Sequence, residues 1–203
     1  MLAPTLFDYA WRPPVLTGPR LWLRPLDESD ADALYDAASN PNVTRFTLWD
    51  AHRSRDETLS FLRSYVPEHY REGLLDPMGI VLRESGIDGP VVGCIGCHWA
   101  SEKNRAMEFG YWIAESLWGH GLGMEASRLL IDHVFSSYTV ERVQAHCFAE
   151  NTASARVLEK VGLRYEGTHR SALFHRGRFW DLKMYAVLRA EWRTDQSTIQ
   201  SDD

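Results

Sequence analysis

Cysteine is scarce in this sequence: of 203 residues only Cys94, Cys97 and Cys147 carry a thiol. An odd, low count does not build a disulfide framework. Long apolar runs are missing too. No stretch approaches the length of a membrane span, and Met1 to Arg12 lacks the basic-then-apolar order of a signal peptide. The expectation is a cytoplasmic protein with no membrane partner. Positive charge is not in surplus: 22 Lys and Arg stand against 28 Asp and Glu, which argues against nucleic acid as a partner. No G-x-S-x-G elbow of a serine hydrolase is present. Cys94-Ile-Gly-Cys97 has the spacing of a zinc knuckle or redox pair, but it lies in a strand pattern, where residues three apart face opposite ways. No metal is expected.

What remains is a chain 44% hydrophobic and 25% charged, enough to bury one core. It reads as a single α+β domain over 1–194, with 195–203 a disordered tail. Met1 to Gly18 is an irregular arm. Arg20 to Arg24 alternates as a first strand. Asp27 or Ser29 caps a helix bearing Ala31, Leu34 and Ala38, which Asn40-Pro41 ends; Val43 to Trp49 is a loop. About Arg55 to Tyr70 is a second helix, kinked or split at Pro67. Gly73 to Pro77 is a turn. Gly79–Arg83, Val91–Trp99 and Glu108–Ile113 follow through short turns as an antiparallel meander. After a helix to about Ser137 come strand Arg142–Phe148, helix Asn151–Val161, and a hairpin of Leu163–Phe174 with Phe179–Leu188. The sheet so built has about seven strands.

The densest stretch is Glu108 to Ala126. Phe109, Tyr111 and Ile113 alternate against Glu108, Gly110 and Trp112. A turn with Gly119, Gly121 and Gly123 then opens a helix. Strand, glycine turn and helix N-terminus together bind phosphate, because free N–H groups and the positive end of the helix dipole face the anion. The glycine spacing is wrong for a dinucleotide fingerprint. Asn151-Thr-Ala-Ser154 opens another helix directly after a strand, with Asn151 as N-cap. A right-handed crossover would make these two strands neighbours, so that two helix N-termini flank one cleft near the Glu108 carboxylate.

These segments resemble the GNAT acetyltransferases, within them the Rim-type ribosomal-protein N-terminal acetyltransferases and their small-molecule relatives. The resemblance rests on Arg20-Leu-Trp-Leu-Arg24-Pro25, Pro41-Asn-Val-Thr-Arg45-Phe46, Glu108-Phe-Gly-Tyr-Trp-Ile113, Trp118-Gly-His-Gly-Leu-Gly-Met-Glu-Ala126, Asn151 to Gly162, and Gly177-Arg-Phe-Trp-Asp181-Leu-Lys-Met-Tyr185. It implies the GNAT fold, with a splayed central strand pair, and acetyl-CoA as cosubstrate. Tyr111, Trp112 and Ile113 would pair with the pantetheine arm. Trp118, Gly119, His120, Gly121, Leu122, Gly123 and Met124 would hold the pyrophosphate, and Asn151 and Ser154 would meet the arm at the second helix. Glu108 would accept the amine proton, a role suited to a carboxylate of raised pKa. Ser154 would protonate the leaving thiolate, since Leu158 stands where many relatives carry a tyrosine. Asp181 either orients the acceptor or pairs with Arg178, the ion pair being favoured. Tyr35, Phe46, Trp49 and Trp180 are candidates for the acceptor pocket.

The function so implied is N-acetyl transfer from acetyl-CoA to a primary amine, a protein N-terminus or a small molecule, in a ternary complex. The alternative is an acyl-CoA-binding module without turnover. A homodimer stays open.

Overall fold

The computed structural model describes residues 11–192. Eight strands form one sheet in the order β1-β2-β3-β4-β5-β6-β8-β7: β1 Leu16–Thr17, β2 Leu21–Pro25, β3 Leu75–Leu82, β4 Val91–Ser101, β5 Ala106–Ile113, β6 Arg142–Phe148, β7 Arg164–His175 and β8 Arg178–Leu188. The eighth strand is the two-residue β1, which pairs antiparallel with β2. Two residues are too few to carry an alternation, which is why the sequence suggests seven. β3 begins four residues earlier than Gly79, so Leu75 to Pro77 is strand and not turn. Pro77 hid it, because proline in a run normally counts against a strand.

The helices are α1 Ala31–Ala38, α2 Pro41–Thr44, α3 Arg55–Ser60, α4 Val66–Arg71, α5 Leu122–Ser137 and α6 Thr152–Val161. Asp27 caps the turn that leads into α1 through the Ser29 amide. Pro41 does not simply end α1. It takes the first position of α2, where its missing N–H costs nothing, and Asn40 caps that helix. Between α3 and α4 the chain makes a π turn over Phe61–Tyr65 just ahead of Pro67. A widened turn accommodates the proline that a straight helix would exclude. α6 starts at the Asn151 cap and stops at Gly162, whose φ of 114° suits only glycine.

Two cores lie on the two faces of the sheet. One face packs Leu122, Ala126, Leu130 and Val134 of α5 and Leu158 of α6 on Leu23, Ile80, Ile95, Val143 and Tyr185. The other packs Leu34 of α1 and Leu62, Val66 and Tyr70 of the kinked helix on Val81, Val91 and Cys94. Cys94 and Cys97 are buried in different cores, so they face apart. Burial pushes both thiols up. No helix among the described residues is long and apolar enough to cross a membrane. The expected disordered tail and most of the N-terminal arm lie outside the described residues.

The end of β8 is tied to α5 by one side chain. Arg189 donates to the carbonyls of Phe135, Tyr138 and Val140, each at 2.6 Å. These are C-terminal helix carbonyls or their neighbours, which no backbone N–H of the helix can reach. Arg189→Met keeps the aliphatic stem and removes every donor. We expect it to cost roughly 2–3 kcal/mol, measured as a fall in the urea midpoint with an unchanged slope; an unaltered midpoint would refute the tie.

Candidate active site

β5 and β6 are parallel, but they pair only over Ala106–Glu108 and Arg142–Gln144. Beyond Glu108, β5 stays with β4 as far as Ile113, while β6 stays with β8 as far as Phe148. The two strands therefore part in the middle of the sheet. Neighbouring strand residues turn their backbone groups to opposite sides. The Ala114 N–H goes to Val92 on the β4 side, so Phe109, Tyr111 and Ile113 turn theirs into the gap. Their N–H and C=O groups form an internal sheet edge. A cavity of about 530 Å³ opens there, lined by residues of both sheet faces.

Glu108 stands at the last rung of the ladder. Its Oε1 lies 2.8 Å from His146 Nδ1, and its Oε2 accepts from Gln144 Nε2 at 2.7 Å. His98 is its cross-strand neighbour on β4. Burial pushes the Glu108 pKa up, but the hydrogen bonds from His146 and Gln144, together with the charges of His146 and His98, leave it below the ordinary carboxylate value. His146 is shifted the other way: its hydrogen bond to Glu108 raises it, against burial. The expectation of a raised Glu108 pKa is not met. The reason is a partner one rung and two residues away, which a linear sequence does not display until the β5–β6 register is known.

Ser154 sits on the opposite face, with Tyr111 and Cys147. Burial pushes the Tyr111 phenol up to about 12, and a hydrogen bond from Ser154 counters it only in part. Cys147 is raised by burial in the same way, again opposed by Ser154. Tyr111 is thus a neutral O–H donor beside Ser154, a role that the backbone-pairing assignment of this residue missed. Its place on the strand face opposite Glu108 was the available signal. His146 and Cys147 face apart, as adjacent strand residues must.

The glycine turn is built as a cradle. Gly119 and Gly121 have φ of 81° and 76°, so both occupy the left-handed region that favours glycine. Gly121 is the N-cap of α5 and supplies no side chain, leaving the amides of Leu122, Gly123 and Met124 without intrahelical partners. Gly123 lies under the Tyr111 ring, which a Cβ would meet at 2.7 Å. Trp118 is exposed, but its indole N–H donates to the Ile113 carbonyl at 2.7 Å and ties the turn to the strand end. Arg20 was missed as a site residue. Its guanidinium donates to the His120 carbonyl at 2.9 Å and to Glu125 at 2.7 Å, which sets a cation against the turn from a hundred residues away. Asn151 caps α6 by accepting from the Ser154 amide at 3.1 Å.

Other expected residues divide. Phe46, Trp49 and Trp112 line the cavity. Trp180 stands behind it, edge-on to Phe148 at 4.9 Å, and Tyr35 is not part of the lining. Asp181 does not pair with Arg178. It accepts from the Ser171 amide at 2.7 Å, where φ is 50°, while Arg178 pairs with Glu150 at 2.9 Å and covers the Trp180 ring. Arg178 and Asp181 are three apart on a strand, so their side chains leave opposite faces.

A mixed sheet split between two parallel central strands, each followed by a helix N-terminus at the gap, is the architecture of an acetyltransferase. The chain belongs to the GNAT acetyltransferase family: residues 20–164 match the acetyltransferase (GNAT) domain. It is 30% identical over 176 residues to the uncharacterized N-acetyltransferase YoaA of Bacillus subtilis, covering 87% of this chain and 97% of that one. It is also 30% identical over 134 residues to the ribosomal-protein-serine acetyltransferase of Escherichia coli, covering 66% and 72%. In fold it is similar to a GNAT acetyltransferase from Bacillus anthracis (TM-score 0.76, 24% identity, 87% of this chain and 99% of that one). It is likewise similar to RimL, a ribosomal L7/L12 alpha-N-protein acetyltransferase solved with coenzyme A (TM-score 0.75, 23% identity, 86% and 98%). The chain is an acetyltransferase.

The Glu108–His146 pair carries a pH signature. Glu108's folded pKa is depressed, so its contribution to stability is present above the ordinary carboxylate value and lost as pH falls through the folded one. His146's is raised, so its contribution is present below the ordinary imidazole value and lost as pH rises through the folded one. Both are full between the ordinary values, 4.5 and 6.5. His146→Ala should therefore destabilise most near pH 5.5 and less toward about pH 9. Urea unfolding of both proteins across this range checks it; a pH-independent difference would contradict the pairing.

Proposed function

We propose that this enzyme transfers an acetyl group from acetyl-CoA to a primary amine by direct attack within a ternary complex. The observation that carries the reading is the arrangement about the gap. An ionised carboxylate stands on one sheet face, neutral O–H donors on the other, and a free backbone edge runs between them. The free edge of β5 suits an extended amide-bearing arm, which it would pair as a strand pairs its neighbour. The N-terminus of α5 and its glycine turn suit a pyrophosphate, with Arg20 as an added cation. RimL's coenzyme A complex and the shared fold support the same donor here.

In this reading the amine approaches from the Glu108 face. Its ammonium gives up a proton to Glu108, whose hydrogen bond to His146 offers a second resting place once the imidazole is neutral. The amine nitrogen attacks the thioester carbonyl, and the oxyanion leans on an inward N–H near Ile113. The C–S bond then breaks; Ser154, backed by the Tyr111 hydroxyl, gives the thiolate its proton, and the second proton shed by the attacking nitrogen as it becomes an amide replaces it on the serine oxygen. Acid and base on opposite faces do not neutralise each other, which separates their tasks.

Glu108→Gln should lower kcat about a hundredfold or more with acetyl-CoA binding intact, read by thiol release and calorimetry. Unchanged thiol release across several amines would remove Glu108 as base. Absence of turnover with every amine in the wild type would favour an acyl-CoA-binding module instead. For the acid, Ser154→Ala should slow kcat about tenfold, and Ser154→Ala combined with Tyr111→Phe should slow it further. A double variant no slower than the single one would leave Ser154 acting alone.

A further inference from the structure

The cavity holds a second carboxylate that the transfer reaction does not use. Asp76 of β3 points onto the same sheet face as Glu108. Its Oδ2 lies 3.4 Å from the Tyr65 hydroxyl and 3.3 Å from His69 Nδ1. The His69 contact is close but misaligned, since that nitrogen makes no hydrogen bond. Tyr65 stays a neutral donor, because burial and then the Asp76 charge raise its pKa. Among the described residues, Asp76 Oδ1 has no hydrogen-bond partner.

That oxygen rests over Gly96. A Cβ at Gly96 would fall 1.7 Å from it, so the glycine is what admits the carboxylate. Gly96 is paired across the ladder with Gly110. Gly110 has neither a strained backbone nor a close neighbour: a Cβ there would meet nothing within 4 Å. It is exposed in the middle of a sheet because it faces the cavity. Packing does not explain this glycine, which borders the open cavity. The cavity floor between Asp76 and Glu108 is thus bare backbone. Two strand spacings and two residues separate the carboxylates, roughly 12 Å between their backbones.

The walls over that floor are aromatic, with Trp49, Phe61, Tyr65 and Trp112 among them. No Lys or Arg is among the described lining residues. The carboxylates and imidazoles that line the space are Asp76, Glu108, His52, His98 and His146; its phenols and thiols, Tyr65, Tyr111, Cys94 and Cys147, are all pushed up by burial and stay neutral. A free carboxylate on the acceptor would find no lysine or arginine there, only imidazoles, of which His146 is already paired with Glu108 and His52 is held toward its neutral form by burial, and it would meet two like charges. An apolar chain with a cation at each end would fit both charge and walls.

Resting on the acetyltransferase reading above, we propose that the acceptor is an alkyl or aralkyl diamine without a carboxylate, one nitrogen delivered to Glu108 and the other anchored by Asp76 across the glycine floor. Asp76 is then a positioning residue, and Gly110 sets the space.

The test uses three matched amines: 1,5-diaminopentane, pentylamine, which lacks the second cation, and lysine, which is the diamine with a carboxylate added. A short peptide with a free serine N-terminus is the fourth probe. Wild-type kcat/KM should favour the diamine over each of the others by about tenfold or more. Asp76→Asn should collapse the diamine-to-pentylamine ratio, chiefly through the diamine KM. Gly110→Ala should raise the KM of the diamine, with acetyl-CoA binding reporting that the fold is kept. Preference for lysine or the peptide would overturn the proposal, as would an Asp76→Asn ratio equal to wild type. Calorimetry of the same amines on the coenzyme A-loaded protein separates the two readings. Diamine binding that depends on Asp76 without turnover would count against the transferase alone and support the anchor. Turnover indifferent to Asp76 would count against the anchor alone.

Discussion

The parting of β5 from β6 is the constraint on which the rest depends. A parallel pair inside a sheet ordinarily satisfies every backbone group, and this one stops after three rungs. The unpaired edge of Phe109, Tyr111 and Ile113 would be costly if buried dry. It is tolerable because a cavity reaches it, and because the outermost carbonyl, that of Ile113, is taken by the Trp118 indole. Each strand keeps a full partner on its other side, β4 for β5 and β8 for β6. Separation therefore forfeits one ladder and not two. Gly93 on β4 tightens the outer pairing: a Cβ there would fall 2.3 Å from the Trp112 carbonyl.

A gap through a sheet also joins two faces that side-chain alternation keeps apart. Glu108, Gln144 and His146 belong to one face, and Tyr111, Cys147 and Ser154 to the other. On a continuous sheet these sets would never meet a common ligand. At the gap they lie on two sides of one space, so a carboxylate held ionised and a phenol held neutral coexist nearby. Their pKa values are pushed apart by different causes. At Glu108 burial is the largest single influence, but hydrogen bonds and neighbouring imidazoles together overcome it, whereas burial prevails at Tyr111.

Much of this was legible in the sequence because it is local. Period-two alternation marked β2 and β5; the Asn151 and Gly162 signals bounded α6; Pro67 marked the irregular turn between α3 and α4. What escaped is what depends on register or on distant segments. Arg20 reaches the glycine turn across a hundred residues, and nothing in its strand pattern says so. Gln144 and His146 meet Glu108 only once the β5–β6 rungs are fixed. Asp76 was obscured by the proline beside it, and the Arg178–Asp181 pairing failed because strand geometry sends residues three apart to opposite faces. The glycine turn was read correctly as a helix start, yet the Trp118 tie to Ile113 needed coordinates.

Glycine does two different jobs in this molecule, and telling them apart bears on function. At Gly119 and Gly121 the backbone requires it, since both φ values are positive. At Gly96 a neighbouring carboxylate requires it. Gly110 answers to neither demand, and a strand interior without a side chain weakens a sheet. The sheet tolerates that weakness one residue pair from the point where its ladder opens, on the face that carries Glu108 and Asp76. An alanine would satisfy the strand better and occupy the cavity. On the acceptor proposed above, glycine here leaves open the space that a ligand lying between Asp76 and Glu108 would need, so the absent side chain shapes the site as much as the present ones do.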